Sequence, residues 1–285
     1  MDKQIILNRM RRNPFFIIGS ISALLVLILT IFGPMVLQFD PTANSLTEIF
    51  VSPEGFSKGL QGHILGTDQM GRDVLMRLLV GGRYSLSIAF IVVFLEVVIG
   101  MLLGLAAGYF GGWLDAIIMR ACDAFLAIPN LILAIAVMAV MGKSITNLIL
   151  VLAFAGWVRA CKLTRNNVSV IKKQEFVQAS KVLGAGHMHI IFKQIFPNVT
   201  THIIILASQR IGQIIIVEAA LSFLQLGIQA PTPSWGNMIS VGRDFMTTQP
   251  WMVFAPGIAL MIAATAFNFL GDGLRDVLDP KRTAT

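Results

Sequence analysis

Three ionisable residues, Glu96, Arg210 and Glu218, fall inside stretches that are otherwise apolar. A charge held in hydrocarbon is costly, so such groups face protein or a water-filled cavity, and each is a candidate to line a translocation path. Structural pairing is the competing role, and Glu218 stands two turns from Arg210 as a possible partner or could meet a neighbouring subunit. A second chemistry-bearing run, His63-Ile-Leu-Gly-Thr-Asp-Gln-Met-Gly-Arg-Asp73, offers His63, Asp68, Arg72 and Asp73. Its spacing is not a recognised metal-ligand set, and no metal site is expected there or at His187 and His189. Gly142-Lys143-Ser144 looks like the end of a phosphate-binding loop, but Val137 stands where the first glycine is required. No Ser-His-Asp, paired-carboxylate or zinc-hydrolase arrangement occurs, so no catalytic residue is assigned and the chain is read as a non-enzyme. Asn167 and Asn198 open glycosylation-like triplets whose expected cytoplasmic location makes them chance matches.

The elements that must position these residues are membrane spans. Of 285 residues, 55% are hydrophobic and 13% charged, and the mean hydropathy is +0.76, too few charges to coat a soluble globule. The net charge of +7 lies in short segments between apolar runs, where it sets membrane orientation, so no nucleic-acid partner is expected. Cys122 and Cys161 are far apart in sequence and imply no disulfide framework. Spans long enough to cross hydrocarbon are expected near Pro14–Leu37, Ser85–Phe110, Ala124–Met141, Ile145–Ala160, Thr201–Leu226 and Trp251–Leu270. The third and fourth could instead form a re-entrant pair about the tight Gly142-Lys143-Ser144 hairpin. Arg9, Arg11 and Arg12 precede the first run as in a signal peptide, but no cleavage site follows, so it is read as a retained span.

Counting Lys and Arg by connection puts fifteen on one side and six on the other, with seven of the fifteen between Arg159 and Lys193 and Arg210 inside a span. The positive-inside rule then places both termini in the cytoplasm. The resulting organisation is a tail at 1–13, a span at 14–37, an extracytoplasmic segment at 38–84, a core at 85–272 containing a cytoplasmic segment at 162–198, and a tail at 273–285.

Gly100, Gly104 and Gly108 recur every four residues and put three side-chain-free positions on one helical face, for a neighbouring helix of this chain or of a partner. Within 162–198, Phe176, Ala179, Ser180 and Leu183 share one face of a short helix, with Glu175, Gln178 and Lys181 on the other. Gly184 and Gly186 suit a helix stop, after which His187 to Phe196 would form a second short helix ending at Pro197. The product is a helix-turn-helix elbow.

This elbow resembles the coupling loop of bacterial ABC importer permeases, whose pattern runs Glu-Ala-Ala, three residues, Gly, nine residues, Ile-x-Leu-Pro. Gln178-Ala179-Ser180, Gly184 and Phe196-Pro197 occupy the corresponding places. Gln178 replaces the acidic residue, removing the charge an ionic contact there would need, and Gln194 and Phe196 replace the aliphatic pair. Four further segments look like the dipeptide, oligopeptide and nickel permeases, specifically their second, shorter-looped partner. They are His63 to Val74, Ala107-Gly-Tyr-Phe-Gly-Gly-Trp-Leu-Asp115, Glu218 to Gly227 continuing to Pro233-Ser-Trp-Gly236, and Asn268 to Pro280.

The resemblance implies an all-α, polytopic protein of six transmembrane helices in the bacterial cytoplasmic membrane. It would work by alternating access beside a second homologous permease, two cytoplasmic ATPases and an extracytoplasmic substrate-binding protein. The chain itself would bind no cofactor, with ATP and Mg held by the ATPases. Glu175, Phe176, Gln178, Ala179, Ser180, Leu183, Gly184 and Pro197 would then serve ATPase coupling, and His63, Asp68, Arg72 and Asp73 binding-protein docking or structure. Short peptides are the expected cargo, with nickel or a metal chelate as the alternative. A membrane-embedded enzyme lacks converging catalytic groups here, and an ion-driven secondary transporter should show half-molecule repeats or broken midplane helices, neither of which is visible in the sequence.

Overall fold

The computed structural model describes residues 3–37, 39–55 and 57–278 and is almost entirely helical, with one isolated bridge between Thr67 and Asp73. The C-terminal Asp279 and Pro280 of the last motif, and most of the expected tail at 273–285, lie outside the described residues. In chain order the helices are α1 (Lys3–Arg12), α2 (Pro14–Val36), α3 (Val74–Phe110), α4 (Gly112–Leu126), α5 (Asn130–Met141), α6 (Ile145–Ile171), α7 (Glu175–Val182), α8 (His187–Phe223), α9 (Trp235–Gly242) and α10 (Trp251–Leu278). Among these, α2, α3, α6, α8 and α10 are each long and apolar enough to cross a bilayer.

The third expected span, Ala124–Met141, needs correction. Instead of one straight helix, α4 and α5 meet at an 85° bend. The break at Ala127-Ile128-Pro129 follows from the proline, which has no N–H to donate and pushes the residue before it out of helical geometry. Counted as one broken span, the pair completes six.

Two other boundaries move. Helix α3 begins at Val74, not Ser85, because Asp73 caps it: the Asp73 carboxylate accepts from the Met76 N–H at 2.6 Å. Helix α6 runs past Ala160 to Ile171, so Arg159, Lys162 and Arg165, counted above as loop charges, lie within a helix. The expected stop at Pro197 is also absent. Helix α8 passes through it with a π-helical stretch, Ile190–Ile195, that ends one residue short of the proline, and the Asn198 side chain donates to the Gln194 carbonyl at 2.6 Å. A widened turn leaves room for the ring and relocates the unmet backbone groups.

Glycines decide which helices touch. A Cβ on Gly100, Gly104 or Gly108 would lie 2.4 Å from the Trp157 carbonyl, 2.6 Å from the Cys161 carbonyl and 2.7 Å from Val168 Cβ respectively. The glycine face of α3 is therefore filled by α6 of the same chain, at a backbone separation no larger residue permits. The same device joins α2 to α10, where Gly19 lies against the Leu270 backbone. Cys122 and Cys161, distant in sequence, share one buried cluster with Trp157 as free thiols.

Candidate functional site

The elbow is built on the ends of two long helices. Lys172, Lys173 and Gln174 separate α6 from α7, and Leu183 to Gly186 separate α7 from α8. The stop of α7 depends on Gly184 at φ +79°, with Ala185 N–H donating to the Ser180 carbonyl and Gly184 N–H to the Lys181 carbonyl, both at 3.0 Å. This pair of bonds is a Schellman closure, which places a left-handed residue where only glycine fits without strain.

Val177, wholly buried, plugs α7 into a cluster formed by Leu105 and Tyr109 of α3, Val168 and Ile171 of α6, and Ile190 and Ile195 of α8. Polar contacts add to the plug. Tyr109 Oη lies 2.8 Å from His187 Nδ1, Lys172 Nζ donates to the Tyr109 carbonyl, and Lys172 and Lys181 each hold their ammonium 5.7 Å from the Tyr109 ring centre. Burial and the neighbouring Lys181 charge lower the pKa of Lys172. Gln178 donates to the Lys172 carbonyl at 2.8 Å and so closes the C-terminus of α6. The outward surface exposes large apolar side chains: Val182 is 87% and Leu183 86% exposed, and Phe176, Met188 and Phe192 are exposed as well, together with the polar Glu175 and Gln178.

The second candidate lies within the spans. Arg210 on α8 meets Glu96 on α3 through two bonds, Nη2 to Oε1 at 2.6 Å and Nε to Oε2 at 2.9 Å, and both residues are buried. Gly156 on α6 makes the room, since a Cβ there would stand 1.6 Å from Glu96 Oε1. Gln213 Oε1 accepts from Arg210 Nη1 and from Arg159 Nη1, each at 2.9 Å, joining α8 to α6. These residues and Asn130, the first residue of α5, line a cavity of about 330 Å³. The suggested pairing of Glu218 with Arg210 is corrected: Arg210 belongs to Glu96. Glu218 is buried one turn from Ser222, whose Oγ donates to its Oε1 at 2.7 Å.

The His63–Asp73 run folds into a buried lock at the start of α3. His63 Nδ1 lies 2.9 Å from Asp73 Oδ2, Arg72 Nε donates to Asp68 at 2.7 Å, and Arg77 Nε stands 3.4 Å from the same Asp68 oxygen. Trp251 Nε1 of α10 donates to the Thr67 carbonyl at 3.2 Å, tying the lock to the last span. His63, Asp68, Arg72 and Asp73 are all buried, and no group of three or more His, Cys, Asp or Glu among the described residues is arranged to hold a metal.

The structure thus unites Glu96 with Arg210, leaves Glu218 apart, and gathers Glu175 to Gly184 into the elbow, with Pro197 already inside α8. Sequence reasoning missed Arg159, Gln213, Val177, Tyr109 and His187. Gln213 carried a signal, since a polar residue three positions after Arg210 in an apolar run shares its helix face. Val177 gave none, because its burial comes from helices distant in sequence.

Residues 100–284 match the family described as binding-protein-dependent transport system inner membrane component, and residues 3–53 match the N-terminal TM domain of oligopeptide transport permease C. The dipeptide transport system permease protein DppC of Haemophilus influenzae is 40% identical over 271 residues, 95% of this chain and 92% of that protein. The glutathione transport system permease protein GsiD of Escherichia coli is 39% identical over 275 residues, and the oligopeptide transport system permease protein OppC of Bacillus subtilis 36% over 273; each alignment covers 96% of this chain and 88% of the relative.

Proposed function

The chain belongs to the family of binding-protein-dependent transport system inner membrane components, and from that premise we propose that it forms one half of the translocation pathway of an ATP-driven importer of short peptides. The relatives named above carry dipeptides, oligopeptides or glutathione, which favours a peptide cargo over nickel or a metal chelate. Membership implies an ATPase and a substrate-binding protein as partners. The finer assembly belongs to the proposal: a heterodimer with a second related permease, two ATPases that hold ATP and Mg, and both termini in the cytoplasm of a bacterium.

The observation that carries the coupling role is the two-faced elbow. Its Val177 side is fixed into α3, α6 and α8, while Phe176, Val182 and Leu183 stand in solvent as apolar anchors suited to a groove on the ATPase. Short exposed anchors on a rigid mount transmit displacement. When ATP draws the ATPases together, the docked elbows move, and α6 and α8, continuous with the elbow, tilt with them. Those two helices also carry Arg159, Arg210 and Gln213, so the displacement reaches the polar cavity directly.

Copurification tests the reading. An ATPase should accompany the tagged permease at two copies per permease pair by native mass spectrometry, and peptide-loaded binding protein should stimulate ATP hydrolysis. An intact, folded permease that recruits no ATPase would count against it.

A further inference from the structure

The cavity beside Glu96 has a charge imbalance that its own residues leave open. Arg210 is neutralised by two bonds to Glu96, whereas Arg159 has only the neutral Gln213 oxygen, itself shared with Arg210. Among the described residues, the remaining N–H groups of Arg159 find no acceptor and no carboxylate pairs with it. Arg159 stands fourteen positions into the 27-residue α6, and its side chain is exposed. That is some 20 Å from either end at about 1.5 Å per residue. A guanidinium left half-satisfied in a spanning helix is costly unless the cavity it lines admits water and, with it, an anion.

The geometry selects the class of anion. Two guanidinium groups already converge on one amide oxygen, 2.9 Å from each. A carboxylate oxygen replacing the amide oxygen would accept the same donors through charge-assisted bonds, and the Arg159 fork could take its second oxygen. The cavity volume of about 330 Å³ admits a terminal residue and not a folded ligand.

We propose that Arg159, held in place by Gln213 beside the Arg210–Glu96 pair, is a specificity residue that receives a free carboxylate of the cargo during its passage. This rests on the peptide-import reading above. Arg210 is excluded as the primary receptor because its donors are already engaged by Glu96. The site is transient by construction, since Gln213 competes for the arginine and returns it when the carboxylate leaves.

The test uses the complete complex in proteoliposomes at saturating binding protein. Initial uptake is measured for a tripeptide with neutral side chains, in its free-carboxylate and C-terminally amidated forms, with an α-linked, glutamate-containing, C-terminally amidated peptide separating a side-chain carboxylate from a terminal one. Because the binding protein is common to all arms, its own preference cancels when the permease variants are compared. Arg159→Gln should lower uptake of the free-carboxylate form about tenfold and leave the amide form within twofold, in a complex that assembles to the wild-type level. Arg159→Lys should recover a large part of the loss. An unchanged ratio of free to amidated uptake in Arg159→Gln, or an equal loss for both forms, would overturn the inference while leaving peptide import standing. A wild-type complex that hydrolyses ATP and accumulates neither form would overturn the peptide reading and this inference with it.

Discussion

Glu96 and Arg210, 114 residues apart in sequence, close a two-bond ion pair directly over Gly156, so that three helices meet at one buried charge pair. The pair's net worth against an apolar replacement is small, because desolvation offsets attraction. Losing one partner is different, since the survivor is then buried and uncompensated. Arg210→Gln or Glu96→Gln should therefore cost about 3–5 kcal/mol, while the double change Glu96→Gln/Arg210→Gln costs less than the sum of the two single changes. Thermal unfolding of the detergent-solubilised complex checks this, and strict additivity would contradict it.

Gly156→Ala should perturb the same pair without touching a charge, because the new methyl would occupy the space of the Glu96 carboxylate. A fall in thermal stability close to that of Glu96→Gln is expected. A variant as stable as wild type would show that Glu96 has another place to go.

Gly104→Val should prevent α3 and α6 from closing, since its Cβ would sit 2.6 Å from both the Cys161 carbonyl and Thr164 Cβ. The expected outcome is loss of folded protein from the membrane, read by fluorescence-detected size exclusion; a monodisperse peak at wild-type level would refute the packing argument.

Tyr109→Phe removes the hydroxyl that meets His187 Nδ1 and keeps the ring between Lys172 and Lys181. A loss of about 0.5–1.5 kcal/mol is expected, with the elbow's amides exchanging faster than those of α3 in hydrogen-exchange mass spectrometry. Uniform exchange across the protein would deny the latch.

The helices themselves were legible because hydropathy and the positive charges in connections act locally. The bend at Ala127–Pro129 was not, since α4 and α5 together read as one apolar run until the proline's effect on its neighbours is set against the packing of α6. Arg159 was counted with the loop charges at the end of the expected Ile145–Ala160 span because Arg159, Lys162 and Arg165 together imitate a span's end. In the structure Lys162 pairs with Asp123 and Arg165 with Asp115, so α4 supplies partners that let α6 continue. The elbow's stop at Gly184 was readable from the glycine alone, whereas its inward anchor, Val177, depended on residues of α3 and α8 that no local pattern brings together. Phe176 and Leu183, expected to serve ATPase coupling, are exposed.

The elbow's exposed face is tested most directly by ATP-driven accumulation of a labelled tripeptide in proteoliposomes containing the full complex and its binding protein. Wild type should accumulate peptide with stimulated ATP hydrolysis. Val182→Asp/Leu183→Asp should insert and fold normally, since both side chains project into solvent, yet lose transport at least tenfold together with the bound ATPase. Normal accumulation by that variant, with ATPase retained, would contradict the elbow as the point where ATP's work enters this chain.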